Sequence, residues 1–376
     1  AGVFKTGSST VTLTGANSFS GVSIEQGTLV LGTASSGSLG TVSFSGASGG
    51  TLRVLDSFTV GNIYADSSSA RIEVAAGKTL TVNPLSSGSG SYSYEPVFSG
   101  SFAPTSGGGA FELVFSGTVS TGHSMPQLRL TGQSSYSGTT RVRGGIDLTV
   151  ADSAAFGQSS VALEGGRLAL ASGVELANPL TLSSGTLAGE GGISTSSAIS
   201  VGGGVILQPG FDLAATLTFT AAGSYAGTVL SLNGGGAYRW KIGDATSSSG
   251  EWDRVGVSGA VSIGATAAAP FTVQMAPVGS LGLLTGGIAG FDPSQNYNWP
   301  ILTASSITGF TAGAFVVDSS AFATLAPDYK FSVGLDSLGS SLVLNYNPAA
   351  VPEPSTWVML LSGAAAGALW LRRRRA

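Results

Sequence analysis

Short alternating phrases closed by glycine fill the chain, as in STVTLTG, GTLVLG, GTVSFSG, GTLRVL, FELVFSG, PQLRLTG and NPLTLSSGTLAG. Each puts an apolar residue at every second position and Thr, Ser or charge between. That period of two is the signature of a strand with one buried face. Gly-Gly, Ser-Gly and Asn-Pro pairs mark the corners. No long helical period occurs before residue 348, so the chain must build its core from many short strands. Of 376 residues 58 are glycine, without the three-residue period of a collagen, and 42% are apolar, too many for a disordered chain.

The strands also repeat. VTLTGANSFSG at 11–21 matches LRLTGQSSYSG at 128–138, and GVSIEQGTLVL and GTTRVRGGIDL follow them. Corners come next, SGSLG at 36–40 and SAAFG at 153–157, and then strands ending GGTLRV and GGRLAL. Self-similarity of this kind predicts a solenoid whose coils bury their apolar sides against one another. The two copies should occupy equivalent coil positions. The interior should hold Leu13, Phe19, Leu29, Leu31, Leu52, Val54, Leu130, Leu148, Leu168, Leu170 and Leu182. Coils of roughly 20–25 residues give about 15 rungs and a rod on the order of 70 Å long. Residues 86–109 break the rhythm and read as a loop. In AYRWKIGDATSSSGEWDRVGVSGAVSIG, Tyr238, Trp240 and Ile242 share one face. After a Ser/Gly turn Trp252, Val255, Val257 and Val261 resume it, two strands whose aromatics close the open end of the solenoid.

The pattern L-x-L-T-G-x-x-x-Y/F-S-G-x-x-x-V/I closely resembles the autotransporter-associated β-strand repeat of bacterial surface passengers. That resemblance implies a right-handed parallel β-helix with an adhesive or structural role. The chain therefore divides into a β-solenoid with these repeats over 1–195, its continuation and C-terminal cap over 196–347, and a tail over 348–376.

The tail reads VPEPSTWVMLLSGAAAGALWLRRRRA. Pro352 and Pro354 bar a helix from crossing them, which keeps Glu353 extended and accessible. Residues 357–371 carry no charge. A helix there covers about 22 Å, short of the ~30 Å hydrocarbon core. Trp357 and Trp370 at the interfaces and snorkelling by Arg372, Arg373, Arg374 and Arg375 meet the shortfall. The positive-inside rule keeps those arginines in the cytoplasm and the body outside. The Pro-Glu-Pro, apolar stretch and arginine cluster resemble the PEP-CTERM sorting signal of exported bacterial proteins. The resemblance implies an exosortase-type processing protease as partner, cleavage near Pro352, Glu353 and Pro354, a transient inner-membrane anchor, and delivery to the cell surface or an exopolysaccharide matrix. The first residue is Ala1, which fits a signal peptide already removed.

Composition narrows the chemistry. There is no cysteine, and His123 is the single histidine, so thiol and His-based metal sites are excluded as far as they need partners. Only 10% of residues are charged. Without the four terminal arginines and Glu353, the body has twelve basic against nineteen acidic residues, −7, which argues against nucleic acid as a partner. No cofactor motif stands out. Residues 202–204 and 234–236 are Gly-Gly-Gly turns without a phosphate-loop lysine. Asp292, Ser294, Asn296 and Asn298 alternate like calcium-loop ligands but lack the distal glutamate, and read as an Asx turn. Glu251 and Asp253 flank Trp252 and would share a strand face, either as a carbohydrate-acting pair or as solvent-side residues. Two functions follow: a non-catalytic surface or matrix protein, with exopolysaccharide or its own copies as further partners, or a β-helical polysaccharide lyase or hydrolase. The enzyme requires carboxylates and a basic residue clustered on one wall.

Overall fold

The alternating phrases form strands, and the strands stack in parallel. The computed structural model describes residues 2–15, 19–32, 38–84, 96–117, 119, 124–211, 213–246, 251–277, 289–320 and 330–348. Within these it is all-β, with no helix and with long parallel sheets, the organisation of a β-solenoid. The chain visits three walls in turn. One ladder runs through Gly2–Lys5, Phe19–Ile24, Ser38–Phe44, Ile63–Ala65, Val97–Phe98, Gln127–Leu130, Asp147–Val150, Ser160–Leu170, Leu180–Gly189, Val205–Pro209, Ala237–Ile242, Phe271–Pro277 and Phe315–Asp318. We call this wall two. Wall one begins at Ser38 and Leu39 and climbs through Phe58–Val60, Thr79–Val82, Phe111–Phe115 and Gly138–Val142 into the first half of Ser160–Leu170. Wall three holds Thr10–Leu13, Gly27–Leu31, Gly50–Val54, Arg71–Val74 and Ser101–Pro104.

Stacking converts the two-residue period into continuous apolar columns. On wall two Ile24, Phe44, Ala65, Phe98, Leu130, Val150 and Leu170 lie in register one above the next, all buried. On wall three Leu29, Leu52, Ile72 and Phe102 do the same. Phe98 joins the two columns, with ring centroids 6.1 Å from Phe44 and 5.0 Å from Phe102. Each buried side chain of this size contributes about 1.5–3 kcal/mol of transfer free energy, so long columns offset the small size of every strand. Of the predicted interior, Leu29, Leu31, Leu52, Val54, Leu130, Leu148, Leu168 and Leu170 are buried. Leu13, Phe19 and Leu182 are half-buried against that core. Leu13 and Phe19 pair on one side with Leu31 and Leu39. Leu182 stands on the last rung of its ladder, opposite Leu163.

The two repeat copies share a pairing scheme but not a position. In each, the first strand pairs with the third, Val11 with Leu29 and Leu128 with Leu148. The second pairs with the fourth, Val22 with Val42 and Val142 with Leu163. Yet the first L-T-G strand lies on wall three and the second on wall two, so the expectation of equivalent coil positions is corrected. The repeat specifies a relation between successive coils, 18–21 residues apart. Any wall can carry that relation, because the walls all stack with the same spacing.

Three further expectations change. Residues 86–95 lie outside the described set, but the rest of the supposed loop re-enters the walls as Val97–Phe98 and Ser101–Pro104. The rod is shorter than expected: wall two makes twelve steps, roughly 58 Å at ~4.8 Å each. The late coils are long, since Leu207 pairs with Tyr238, Tyr238 with Val273 and Val273 with Val317, with loops inserted between walls. Finally, Tyr238 and Trp240 do not close the end. They are buried inside wall two, between Val205–Pro209 and Phe271–Pro277. The stretch that follows supplies Arg254–Val257 and Ala260–Ile263 as separate strands. Closure falls to the antiparallel strands Tyr297–Thr303, Lys330–Leu335 and Ser341–Asn347. Tyr297 stacks on Trp299 at 5.2 Å, and Phe331 meets Tyr346 at 5.1 Å. Turning the last strand antiparallel ends the parallel template, which blunts an otherwise open edge.

Corners demand glycine where coils approach closely. A Cβ on Gly132 would sit 1.9 Å from the carbonyl oxygen of Gly100, whereas one on Gly107 would meet nothing within 4 Å. The obstacle at Gly132 is backbone and cannot rotate away. Gly132→Ala should therefore cost about 1–3 kcal/mol, as overpacking does, and Gly107→Ala should stay within about 0.5 kcal/mol of the parent. Urea midpoints of the two variants check this.

Candidate functional site

The walls gather charges that are distant in sequence into two groups. The first lies on wall one. Glu112, Arg141 and Glu164 stand on three successive strands, Phe111–Phe115, Gly138–Val142 and Ser160–Leu170. Arg141 donates to Glu112 at 2.5 Å and also to Glu164, and Arg143 donates to Glu164 at 2.5 Å. The Thr79 hydroxyl donates to the other Glu112 oxygen at 3.0 Å. The four charged side chains are each about a quarter to a half exposed. The Arg141 guanidinium holds the Glu112 carboxyl below the usual range, and Arg143, then Arg141, do the same for Glu164. A lowered carboxyl contributes stability that is present above its ordinary pKa of 4.5 and lost as pH falls below it. The expected result is a loss of stability on acidification below about pH 4.5 that shrinks in E112Q and E164Q, read by thermal midpoints across pH. Because the ladder faces solvent, added salt should shrink it as well.

A comparable triad on wall three has Glu73 between Arg53 at 2.6 Å and Arg71 at 3.0 Å.

The second group is interior. Lys241, on Ala237–Ile242, and Asp253, just before Arg254–Val257, pair at 2.7 Å with side chains 5% and 0% exposed. Asp253 also accepts the backbone N–H of Ala215 at 2.9 Å and of Lys241 at 3.0 Å. Lys241 further donates to the Pro209 carbonyl, and the Trp240 indole N–H donates to the Asp253 carbonyl at 3.0 Å. Burial pushes the Asp253 carboxyl up to about 7 against the opposing pull of Lys241, and burial pushes the Lys241 ammonium down. Nearby, Arg239 donates to Gln208 at 3.1 Å, and Arg167 pairs with Asp147 at 3.3 Å while covering the Phe211 ring at 4.8 Å.

This arrangement overturns both readings of Glu251 and Asp253. Glu251 is exposed and Asp253 fully buried, so they neither share a face nor both meet solvent. The reason is that the next strand, Arg254–Val257, starts beyond Asp253, which points inward to Lys241. Trp252 is half-buried, donates to the Pro300 carbonyl at 3.0 Å and lies 4.9 Å from the Arg254 guanidinium, so its ring is not an open sugar platform. Asp292 accepts both the N–H and the hydroxyl of Ser294, at 2.9 Å and 2.7 Å, which is the Asx turn. The triglycine segments stack as turns, Gly203 donating to Gly234 at 3.2 Å and Gly204 to Gly235 at 3.0 Å. Among the described residues no three His, Cys, Asp or Glu side chains converge as metal ligands. His123, Pro352, Glu353, Pro354, Arg372, Arg373, Arg374 and Arg375 lie outside the described residues. No described helix is long and apolar enough to cross a membrane.

The two charge groups were not singled out from the sequence. The ladders on walls one and three carry a signal in pairing across coils. Arg53 and Glu73 are register partners on successive strands, and Arg141 and Glu164 stand on successive strands two residues out of register. Such offsets become meaningful only once the coil length is known. The interior pair is joined across twelve residues.

Two family models match parts of the chain. The model of the passenger-associated transport repeat matches residues 3–31 and 127–146, each centred on one copy of the internal repeat. The PEP-CTERM protein-sorting motif matches residues 350–375. The chain thus carries passenger-type repeats in its solenoid and an exosortase-type sorting signal behind it, the combination of an exported surface protein processed by an exosortase. No curated protein matches the sequence.

Proposed function

We propose that the protein is a non-catalytic structural or adhesive element of the bacterial cell surface or extracellular matrix, built as a right-handed parallel β-helix. The observation that carries this reading is the sorting motif at 350–375 placed directly behind a repeat-bearing solenoid. In this reading residues 357–371 anchor the precursor in the inner membrane as a helix and Arg372, Arg373, Arg374 and Arg375 hold its end in the cytoplasm. An exosortase-type protease cuts near Glu353. Exopolysaccharide and further copies of the chain are the partners that a long, sparsely charged wall suits.

A second reading, a polysaccharide-active enzyme, draws on the wall-one ladder, where two carboxylates bracket an arginine on an open face. The paired, low-titrating state of Glu112 and Glu164 supports the structural reading, because a general acid needs a raised pKa. The test uses purified body and a panel of uronic-acid and neutral glycans. Retention on polysaccharide without loss of polymer length is expected. Depolymerisation that disappears in E112Q or E164Q would establish the enzyme instead.

A further inference from the structure

We propose that Lys241 and Asp253 condense to an intramolecular amide that closes the chain between them into a ring. The reacting groups are held together by the fold: Lys241 Nζ lies 2.7 Å from Asp253 Oδ2, and neither side chain is more than 5% exposed. The carboxyl is fixed from both sides, Oδ1 by the Ala215 N–H and Oδ2 by the Lys241 backbone N–H. Its own backbone carbonyl is anchored by Trp240. Such a locked contact removes most of the entropic barrier to bond formation.

Proton transfer within the pair converts ammonium and carboxylate to amine and carboxylic acid, with no change in atoms or net charge. Burial favours that neutral form at both groups. The Nζ lone pair then attacks Cγ. The C–N bond forms as the C=O pair moves onto Oδ1, where the Ala215 N–H donates to it as an oxyanion-hole donor does. A proton passes from Nζ to the Oδ2 hydroxyl, the Cγ–Oδ2 bond breaks, and Oδ2 leaves as water while the pair on Oδ1 restores the carbonyl. The amide keeps one N–H on Nζ, and the Pro209 carbonyl that already accepts from Nζ can accept it. No oxidant or cofactor enters. The product replaces a buried charge pair, costly to desolvate, with a neutral group in the same place.

Arg239 and Arg254 flank the segment, so trypsin that cannot cut at an acylated Lys241 releases residues 240–254 as one peptide. In the purified full chain this peptide should be lighter by one water than its linear mass. Its fragmentation should be silent between Lys241 and Asp253, with Arg254 alone released from the C-terminal side. In K241R, which keeps a cation against Asp253, and in D253A, the intact mass should return to the sequence value. A wild-type mass equal to the sequence mass after prolonged incubation of folded protein would overturn the proposal. So would a water loss that survives in K241R, or one whose fragments place it at Asp244 or Glu251.

Discussion

Asp253→Ala should destabilise the body by about 3–5 kcal/mol, the cost of removing one partner from a buried ion pair. Lys241 would be left 5% exposed with no anion, and the backbone N–H groups of Ala215 and Lys241 would lose their acceptor. These groups sit between Val205–Pro209 and the coil that follows, so the damage falls inside the stack. Glu251→Ala, two residues away and exposed, should change stability by no more than about 0.5 kcal/mol. Adding Lys241→Met to Asp253→Ala should recover part of the loss by removing the stranded cation. The remainder, about 1–3 kcal/mol for each unsatisfied donor, should persist. Denaturant titrations of the four proteins test this order. Equal stabilities of D253A and E251A would mean that the interior pair contributes nothing. An amide between the side chains leaves the order unchanged, since either variant at Asp253 removes the link and exposes the same donors.

The contrast between Glu251 and Asp253 also shows where sequence reading stops. Strand alternation was legible because each coil buries every second residue, so Leu29, Leu52 and Leu168 could be placed by local pattern alone. The solenoid followed from the repeat, because coils that resemble one another bury similar faces. Which wall a strand occupies was not legible, since Val11 and Leu128 begin copies of one phrase on different walls. That choice depends on how many residues each preceding coil spends on its corners. Asp253 illustrates a second limit. By alternation it falls opposite Trp252, but the strand is interrupted there, and Asp253 is drawn inward by a lysine twelve residues earlier. The wall-one ladder was hidden for a third reason: Glu112, Arg141 and Glu164 are neighbours only through coils of unequal length. These are 27 residues from Glu112 to its register partner Thr139 and then 21 from Arg141 to Ala162, with each ion pair reaching two residues further along.

Replacing Pro352, Glu353 and Pro354 together by alanine should abolish maturation, leaving a full-length chain in the membrane fraction. The proposed topology separates three functions along the tail, so three variants should fail differently. The Pro-Glu-Pro variant keeps the apolar stretch and the arginines and loses only the cleavage neighbourhood. Changing Arg372, Arg373, Arg374 and Arg375 to serine removes the block to translocation. Each arginine costs roughly 2.5–3.5 kcal/mol at the bilayer centre on insertion scales, so four of them hold the end on the cytoplasmic side and their loss yields uncut or misplaced precursor. Truncation before Val351 should release a folded soluble body, because the last antiparallel strand ends at Asn347 and Tyr346 is already buried within the cap. Size and fractionation of the three variants in a cell with an exosortase provide the measurement. If the Pro-Glu-Pro variant matures normally, recognition lies elsewhere in residues 350–375. If the truncated body does not fold, the sorting signal is not separable from the solenoid, and the division of the chain into an exported body and a removable tail is wrong.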